Sequence, residues 1–260
     1  VRLAAKLRRD FVFFAVGFET TQPTVAAYLA RGGLPKNLKL LVSYRLTVPA
    51  VRYVLNQPDI PLNGVIAPGH VSTITGAGAW SFLPREYGIP AAVAGFEPID
   101  VLIAVLGILK MISRGRPSIF NEYSRAVTWE GNVLARKMVY EVFQVVDKDW
   151  RGIGVLPESG LKLKDAYSSY DARLEYNIKV SSWVDTRPGC RCPDVILGRA
   201  KPTDCPMFMK ACTPEHPLGA CMVSSEGTCS IWARYGGYGR LKVDEHGDLM
   251  GGAPSTRGAR

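Results

Sequence analysis

Phe11 to Val16 (FVFFAV) is an unbroken apolar run rich in β-formers, and Gly17 stops it. Such a run is the pattern of a strand buried on both faces. Glu19, Thr20 and Thr21 follow, and Thr24 to Arg31 then reads as a helix capped by threonine and ended by Gly32-Gly33. The alternation continues with Leu38 to Tyr44 as strand and Val48 to Asn56 as helix. A third strand, Gly64 to Ala67, stops at Pro68-Gly69-His70, with Ser72 placed to cap the helix after it. Ala91 to Ala94 makes a fourth strand before Gly95, and Ile99 to Ser113 a long apolar helix. Trp129 to Val146 reads as an amphipathic helix and Gly152 to Leu156 as a short strand. Strands alternating with helices predict an α/β fold of mainly parallel sheets with helices on both faces.

The texture changes near Ser181, where Pro, Gly and Cys rise and periodicity fades. The expected organisation is an α/β region over 1–180, a small cysteine-rich metal-bound module over 181–239 and a tail over 240–260. Within the tail, Gly251 to Arg260 is small and polar and is expected to be disordered.

Composition narrows the function classes. Of 260 residues, 47 % are hydrophobic and 21 % charged, as in a globular protein with real cores. The net charge of +9 is partly terminal, in Arg2, Lys6, Arg8 and Arg9 and in Arg257 and Arg260. No Lys/Arg run interleaves with aromatics on a predicted helix, so the charge does not argue for a nucleic-acid partner. A basic surface equally suits an acidic protein or an anionic ligand. The longest apolar run, Val101 to Leu109, is half a membrane span and ends at Lys110. Val1 to Arg9 is basic and amphipathic, and no secretory h-region follows it. The expectation is a soluble cytoplasmic chain with reduced thiols, no membrane partner, and a native amino terminus lying upstream of Val1.

Three strand ends carry polar groups of one style. Gly17-Phe18-Glu19 and Gly95-Phe96-Glu97 echo each other, and Pro68-Gly69-His70-Val71-Ser72 closes the strand between them. Ligands of open α/β sheets bind beyond the carboxyl ends of strands. Glu19, Thr20, Thr21 and His70 are therefore candidates for acid/base work and hydrogen bonding. A plainer reading stands beside this one. Thr21 and Ser72 serve as N-caps in it, Glu19 as a first-turn acid favoured by its helix dipole, and His70 as a structural histidine. No phosphate loop of the G-x-x-x-x-G-K-[ST] type is present, and Gly76-Ala-Gly78 lacks the third glycine of a dinucleotide fingerprint.

All six cysteines fall between Cys190 and Cys229. Thiols gathered in one loop-rich segment suit a soft metal centre. Cys190, Cys205, Cys212 and Cys229 give C-x14-C-x6-C-x16-C, with Cys192 an alternative to Cys190. Structural zinc usually shows two short knuckles, absent here, whereas wide uneven spacing suits a [4Fe–4S] cluster. Cys192 and Cys221 would then be spare thiols, either buried as small hydrophobes or acting as a redox pair. Two rivals remain open: a zinc-stabilised α/β binding protein without redox role, and a thiol–disulfide oxidoreductase using Cys190 and Cys192.

The string Lys201-Pro-Thr-Asp-Cys205-Pro206, then Ala211-Cys212-Thr-Pro-Glu-His-Pro-Leu-Gly219, then Met222-Val-Ser-Ser-Glu-Gly-Thr-Cys229 closely resembles the hydrogenase maturation protein HypD family. The segments Gly17 to Thr21 (GFETT) and Pro68 to Ser72 (PGHVS) also look like that family's motifs, and the resemblance covers nearly the whole chain. It implies two Rossmann-like α/β domains facing a cleft and a third domain carrying a [4Fe–4S] cluster. The implied role is a scaffold, rather than a turnover enzyme, for assembling the Fe(CN)2CO centre of [NiFe]-hydrogenases. In this reading the cluster relays electrons to the cleft. The implied partners are a small HypC-type chaperone and a HypE-type protein that delivers cyanide. Cys190, Cys205, Cys212 and Cys229 match the family's cluster ligands, and Glu19, Thr20, Thr21 and His70 match its cleft motifs. The family holds its nascent iron with a cysteine in a CGTH-type motif, near a CPxC pair, both upstream of GFETT. No cysteine precedes Cys190. The chain is therefore expected to be an amino-terminally truncated member, its first α/β domain incomplete, with a bare sheet edge that invites aggregation.

Overall fold

The computed structural model describes residues 1–7, 9–58, 60, 62–179 and 187–236, together with the strands at 241–243 and 249–251. It divides into two compact units: Val1–Trp150 with Val155–Ser181, and Arg151–Gly154 with Ser182–Arg260.

The first unit opens with helix α1 (Arg2–Lys6), strand β1 (Phe11–Gly17), helix α2 (Gln22–Ala30) and strand β2 (Leu38–Tyr44). β1 and β2 pair in parallel from Phe11↔Leu38 to Gly17↔Tyr44. β2 alternates as its sequence dictates: Leu38, Leu40, Val42 and Tyr44 are buried while the residues between them are half-covered. β1 does not. Only Ala15 is buried, while Val12, Phe13, Phe14 and Val16 are exposed. The expectation of a strand covered on both faces fails: Val12, Phe14 and Val16 share one face of the strand and all three are exposed.

Helix α3 (Thr47–Leu55) leads to strand β3 (Val65–Pro68), helix α4 (Gly69–Thr75), a 3-10 turn at Ala77–Trp80, helix α5 (Phe82–Glu86), strand β4 (Ala91–Ala94), helix α6 (Pro98–Ser113) and strand β5 (Ile119–Asn121). β3, β4 and β5 form a parallel sheet in that order. β4 is central and buried on both faces: Ala91 and Val93 join the core around Trp80 and Leu83, while Ala92 and Ala94 meet Ala104 and Ile108 of α6. Ser72 proves not to be an N-cap. It lies inside α4, fully buried, with its hydroxyl donating to the Pro68 carbonyl (2.9 Å) and accepting from Trp80 Nε1 (2.9 Å).

Helix α7 (Val133–Val142) is shorter than its amphipathic pattern predicts, and strand β6 (Phe143–Trp150) follows it without a break. Asn132 starts the helix by accepting from Ala135 N (2.9 Å). The aromatic and β-branched run from Phe143 to Val146 then favours strand. β6 pairs with β7 (Gly154–Leu163), which extends well past the short strand expected at Gly152 to Leu156. Val139, Val142, Phe143 and Leu161 complete the core that holds Leu40 and Tyr44. Helix α8 (Ala172–Glu175), capped by Asp171, is the last helix or strand of this unit among the described residues.

Among the described residues, the second unit contains four short helices or turns: α9 (Cys192–Ile196), a 3-10 turn at Pro202–Asp204, α10 (Ala220–Val223) and α11 (Thr228–Tyr235). Its core is built from Cys192, Val195, Cys205, Phe208, Cys212, Cys221, Met222 and Cys229. Strands β8 (Leu241–Val243) and β9 (Leu249–Gly251) pair antiparallel. Of the stretch expected to be disordered, Gly251 to Arg260, Gly251 ends β9 and the rest lies outside the described residues. No helix is long and apolar enough to cross a membrane among the described residues.

Candidate functional site

Glu19 follows β1 in the loop to α2, and its side chain is buried, with 6 % exposed. Oε1 accepts from Thr47 N and Oε2 from Thr47 Oγ1, both at 2.7 Å. Thr47 is the first residue of α3, so its amide is one of the donors a helix leaves open at its start. Glu19 thus serves the N-terminus of α3 and not that of its own α2, which corrects the plainer reading. Burial raises its carboxyl above the ordinary 4.5, and the two bonds from Thr47 pull it partly back.

Glu19 lines a cavity of about 390 Å³, within the range of small-molecule sites. Gln22, Thr75, Arg136, Tyr140 and Glu158 add polar groups to its wall. Leu46, Val48, Pro49, Ile74, Val139 and Val145 supply the apolar part. Burial raises the Tyr140 hydroxyl, the charge of Glu19 raises it further, and that of Arg136 lowers it. Arg136 Nη2 donates to the Glu130 carbonyl (2.7 Å), while its Nε is buried without a hydrogen-bond partner among the described residues. Arg136, Tyr140 and Thr47 carried no motif signal. Arg136 and Tyr140 stand four apart on a predicted helix, and that spacing alone could have flagged them.

Thr20 and Thr21 are exposed. Thr21 occupies the N-cap position of α2, yet its hydroxyl donates back to the Phe18 carbonyl (3.1 Å) and caps nothing. His70, on α4, is also exposed and is not among the residues lining the Glu19 cavity. Its ring lies 4.0 Å from that of Phe96, which meets Tyr123 edge-on at 6.4 Å, and Arg125 sits over Tyr123 at 4.5 Å. The structure therefore joins His70 to the second Gly-Phe-Glu. Its glutamate, Glu97, is exposed at the N-cap of α6, where its backbone N donates to Asp100 Oδ2 (3.3 Å). The two echoing segments have different jobs.

In the second unit all six thiols meet in one core. Arg191 N donates to Cys205 Sγ (3.5 Å) and Leu218 N to Cys212 Sγ (3.3 Å). Cys221 N donates to Cys192 Sγ (3.2 Å), and Cys221 Sγ lies 3.0 Å from Cys229 Sγ. A side chain on Gly219 would come within 2.9 Å of Cys190 Sγ and 3.1 Å of Cys192 Cβ, so the chain passes the thiols closely at a residue without Cβ. Burial raises the Cys190 thiol, a hydrogen bond from the Cys192 backbone pulls it partly back, and the charges of Cys192, Cys205 and Cys212 raise it again. The hydrogen bond to Cys221, then burial, raise Cys192. The bond to Cys192 lowers Cys221, but the contact with Cys229 and burial outweigh it and push it up to about 12. Among the described residues, no three of His, Cys, Asp and Glu are gathered as a site for a single metal ion.

These features define a class: a parallel α/β protein whose cysteines are collected in one small buried core. A family model named HypD and described as "Hydrogenase formation hypA family" matches residues 1–236. Hydrogenase maturation factor HypD2 of Bradyrhizobium diazoefficiens is 41 % identical over 237 residues, 88 % of this chain and 62 % of that protein. The putative hydrogenase expression/formation protein of Methanocaldococcus jannaschii is 44 % identical over 239 residues, 90 % of this chain and 66 % of its own length. Hydrogenase maturation factor HypD of Cupriavidus necator is 39 % identical over 244 residues, 90 % of this chain and 63 % of its own. The chain belongs to the HypD family, and it spans a little under two thirds of the length of these curated relatives.

Proposed function

We propose that this chain acts in [NiFe]-hydrogenase maturation as part of a scaffold on which the Fe(CN)2CO unit is assembled as cargo. Cys190, Cys205, Cys212 and Cys229 would hold a [4Fe–4S] cluster, which when bound supplies one-electron chemistry. The donor set suits such a group. Cys205, Cys212 and Cys229 are buried and Cys190 is half-buried against them. Two of the four sulfurs accept backbone amides, a contact that stabilises thiolate and tunes a cluster. Cys192 and Cys221 stand beside this set in the same core as a second pair of thiols.

The residues of the first unit would handle cargo. Glu19, held in one orientation by Thr47 and facing a cavity, is placed to exchange a proton or to accept a hydrogen bond from a small ligand. His70 and Phe96 offer an exposed planar platform at neighbouring strand ends, and the exposed Thr20 and Thr21 supply hydroxyls near β1. No cysteine precedes Cys190, so in this reading the thiol that grips the iron lies outside these 260 residues. The partners are a HypC-type chaperone and a HypE-type cyanide donor, in the cytoplasm.

One observation carries the reading: the four thiols of the family's ligand pattern lie in one buried core. Anaerobic purification followed by iron, sulfide and zinc analysis tests it. About four irons and four sulfides per chain support it. One zinc without sulfide would overturn the redox role and favour a zinc-stabilised binding protein.

A further inference from the structure

Helix α6 buries little of the apolar surface it carries. Ala104 and Ile108 pack on the sheet against Ala92 and Ala94. On the opposite side Ile99, Leu102, Leu106 and Leu109 are between 51 % and 65 % exposed, the four most exposed apolar side chains of the helix. Their spacing of three, four and three residues sets them in one line along the helix, across its axis from Ala104 and Ile108. This is the seam by which two helices pack side by side, knobs of one into holes of the other. Val105 and Ile112 flank the line on one side and Ile103 on the other, all exposed. A continuous apolar face of this kind marks an interaction surface.

The charges at the two ends of the helix say what covers it. Glu97 stands exposed at the amino end, and Lys110 and Arg114 stand exposed at the carboxyl end. Neither cation enters an ion pair among the described residues. A helix with an acid at its start, cations at its end and a seam between them is complementary to itself turned end for end. The opposed helix dipoles favour the same orientation. A helix lying on a membrane carries cations along both flanks of its polar face, whereas here they stand at one end. Beside the seam, Ile103, Leu106, Gly107, Lys110, Met111 and Phe120 line a groove of about 330 Å³. Gly107 lets the Phe120 ring lie against the helix, since a Cβ there would stand 2.5 Å from it. We propose that α6 is the interface of a symmetric dimer of this chain. Two copies pack antiparallel through Ile99, Leu102, Leu106 and Leu109, Glu97 of each faces Lys110 of the other, and an apolar side chain of each enters the other's groove. One surface serves both copies, as a two-fold axis requires. The strip is only about 24 Å long, so the dimer is weak, with a dissociation constant on the order of 10 µM.

The proposal concerns α6 and does not depend on the cysteine core or on maturation. Its test is sedimentation equilibrium of the full 260-residue chain, purified anaerobically. Monomer should pass to dimer between about 1 µM and about 100 µM. Leu102→Lys, at the most exposed apolar residue of the helix, should leave helix content unchanged and weaken the dimer about tenfold or more. Glu97→Lys and Lys110→Glu should each weaken it severalfold, and the two reversals together should restore it, as an antiparallel pairing of like surfaces requires. Phe14→Asp, on the exposed face of β1, should leave the dimer as it is. A monomer across the whole range, a dimer indifferent to Leu102→Lys, a dimer lost in Phe14→Asp, or a double reversal no better than the single ones would overturn the assignment. Iron and sulfide measured on the same samples report separately on the cluster, so failure of one reading is distinguishable from failure of the other.

Discussion

Thr47 gives Glu19 both of its donors, the backbone amide to one carboxylate oxygen and the hydroxyl to the other, each at 2.7 Å. A residue just after β1 thereby caps α3, and the loop that leaves the first strand is tied to the helix that follows the second. Thr47→Val keeps the amide bond and the side-chain shape but removes the hydroxyl. It should cost about 1–2 kcal/mol, read as a lowered urea midpoint at unchanged slope. A change of a few tenths would show that the hydroxyl does little to hold Glu19.

The same carboxyl makes stability depend on pH. Its folded pKa lies above the ordinary 4.5, with burial as the main cause. The native state therefore holds this proton more tightly than the unfolded chain does. The contribution is fully present below about 4.5 and is lost as pH rises through the folded pKa. Glu19→Gln should flatten the fall in denaturation midpoint that sets in as pH rises above about 4.5. Equal slopes in the two proteins would sink this account.

Gly69 sits where β3 turns into α4, and a Cβ there would strike the Ala94 carbonyl and the Tyr123 ring. The carbonyl belongs to the central strand and has little freedom to move. Gly69→Ala should cost about 1–3 kcal/mol and shift the His70 and Phe96 ring resonances in proton NMR. Wild-type stability with unshifted resonances would show that this close approach is loose.

Ser72→Ala tests the plainer role of the PGHVS segment. The Trp80 indole N–H is fully buried and donates to the Ser72 hydroxyl. Without that acceptor it is left unpaired, at a cost of about 1–3 kcal/mol, visible in thermal denaturation followed by tryptophan fluorescence. A neutral substitution would place a water or another acceptor beside Trp80.

Cys212→Ser should abolish the brown absorbance near roughly 400 nm together with bound iron and sulfide. Full retention of both would refute Cys212 as a ligand. Glu19→Gln should leave iron and sulfide unchanged while lowering hydrogenase activity in complemented cells. Normal activity there would remove Glu19 from the assembly chemistry.

Several elements could be read directly from residue patterns, and the misses have physical causes. β2 alternates and β4 is a compact apolar run before Gly95, so both stand where they were expected. β5 escaped notice because three residues carry no period. α7 was drawn too long because Phe143 to Val146 fits a helical stripe as well as a strand, and pairing with β7 decides between them. β1 was taken as covered because an apolar run reports a need for burial, not its fulfilment. The candidate site was partly legible. Six clustered cysteines and Glu19 announce themselves by type and place. Thr47 and Arg136 matter through contacts 28 residues and six residues away in sequence, to Glu19 and Glu130, which a local motif does not encode.

The turn after β6 and the first residue of β7, together Arg151–Gly154, belong with the cysteine-rich unit, where Arg151 Nη2 donates to the Leu218 carbonyl (3.3 Å). The polypeptide therefore enters that unit twice. A cut near Ser181 would not release an intact cysteine unit, and a gene fragment starting there would lack one of its pieces. Attempts to study the thiol core by itself should keep the β6–β7 connection, or graft Arg151–Gly154 back through a linker.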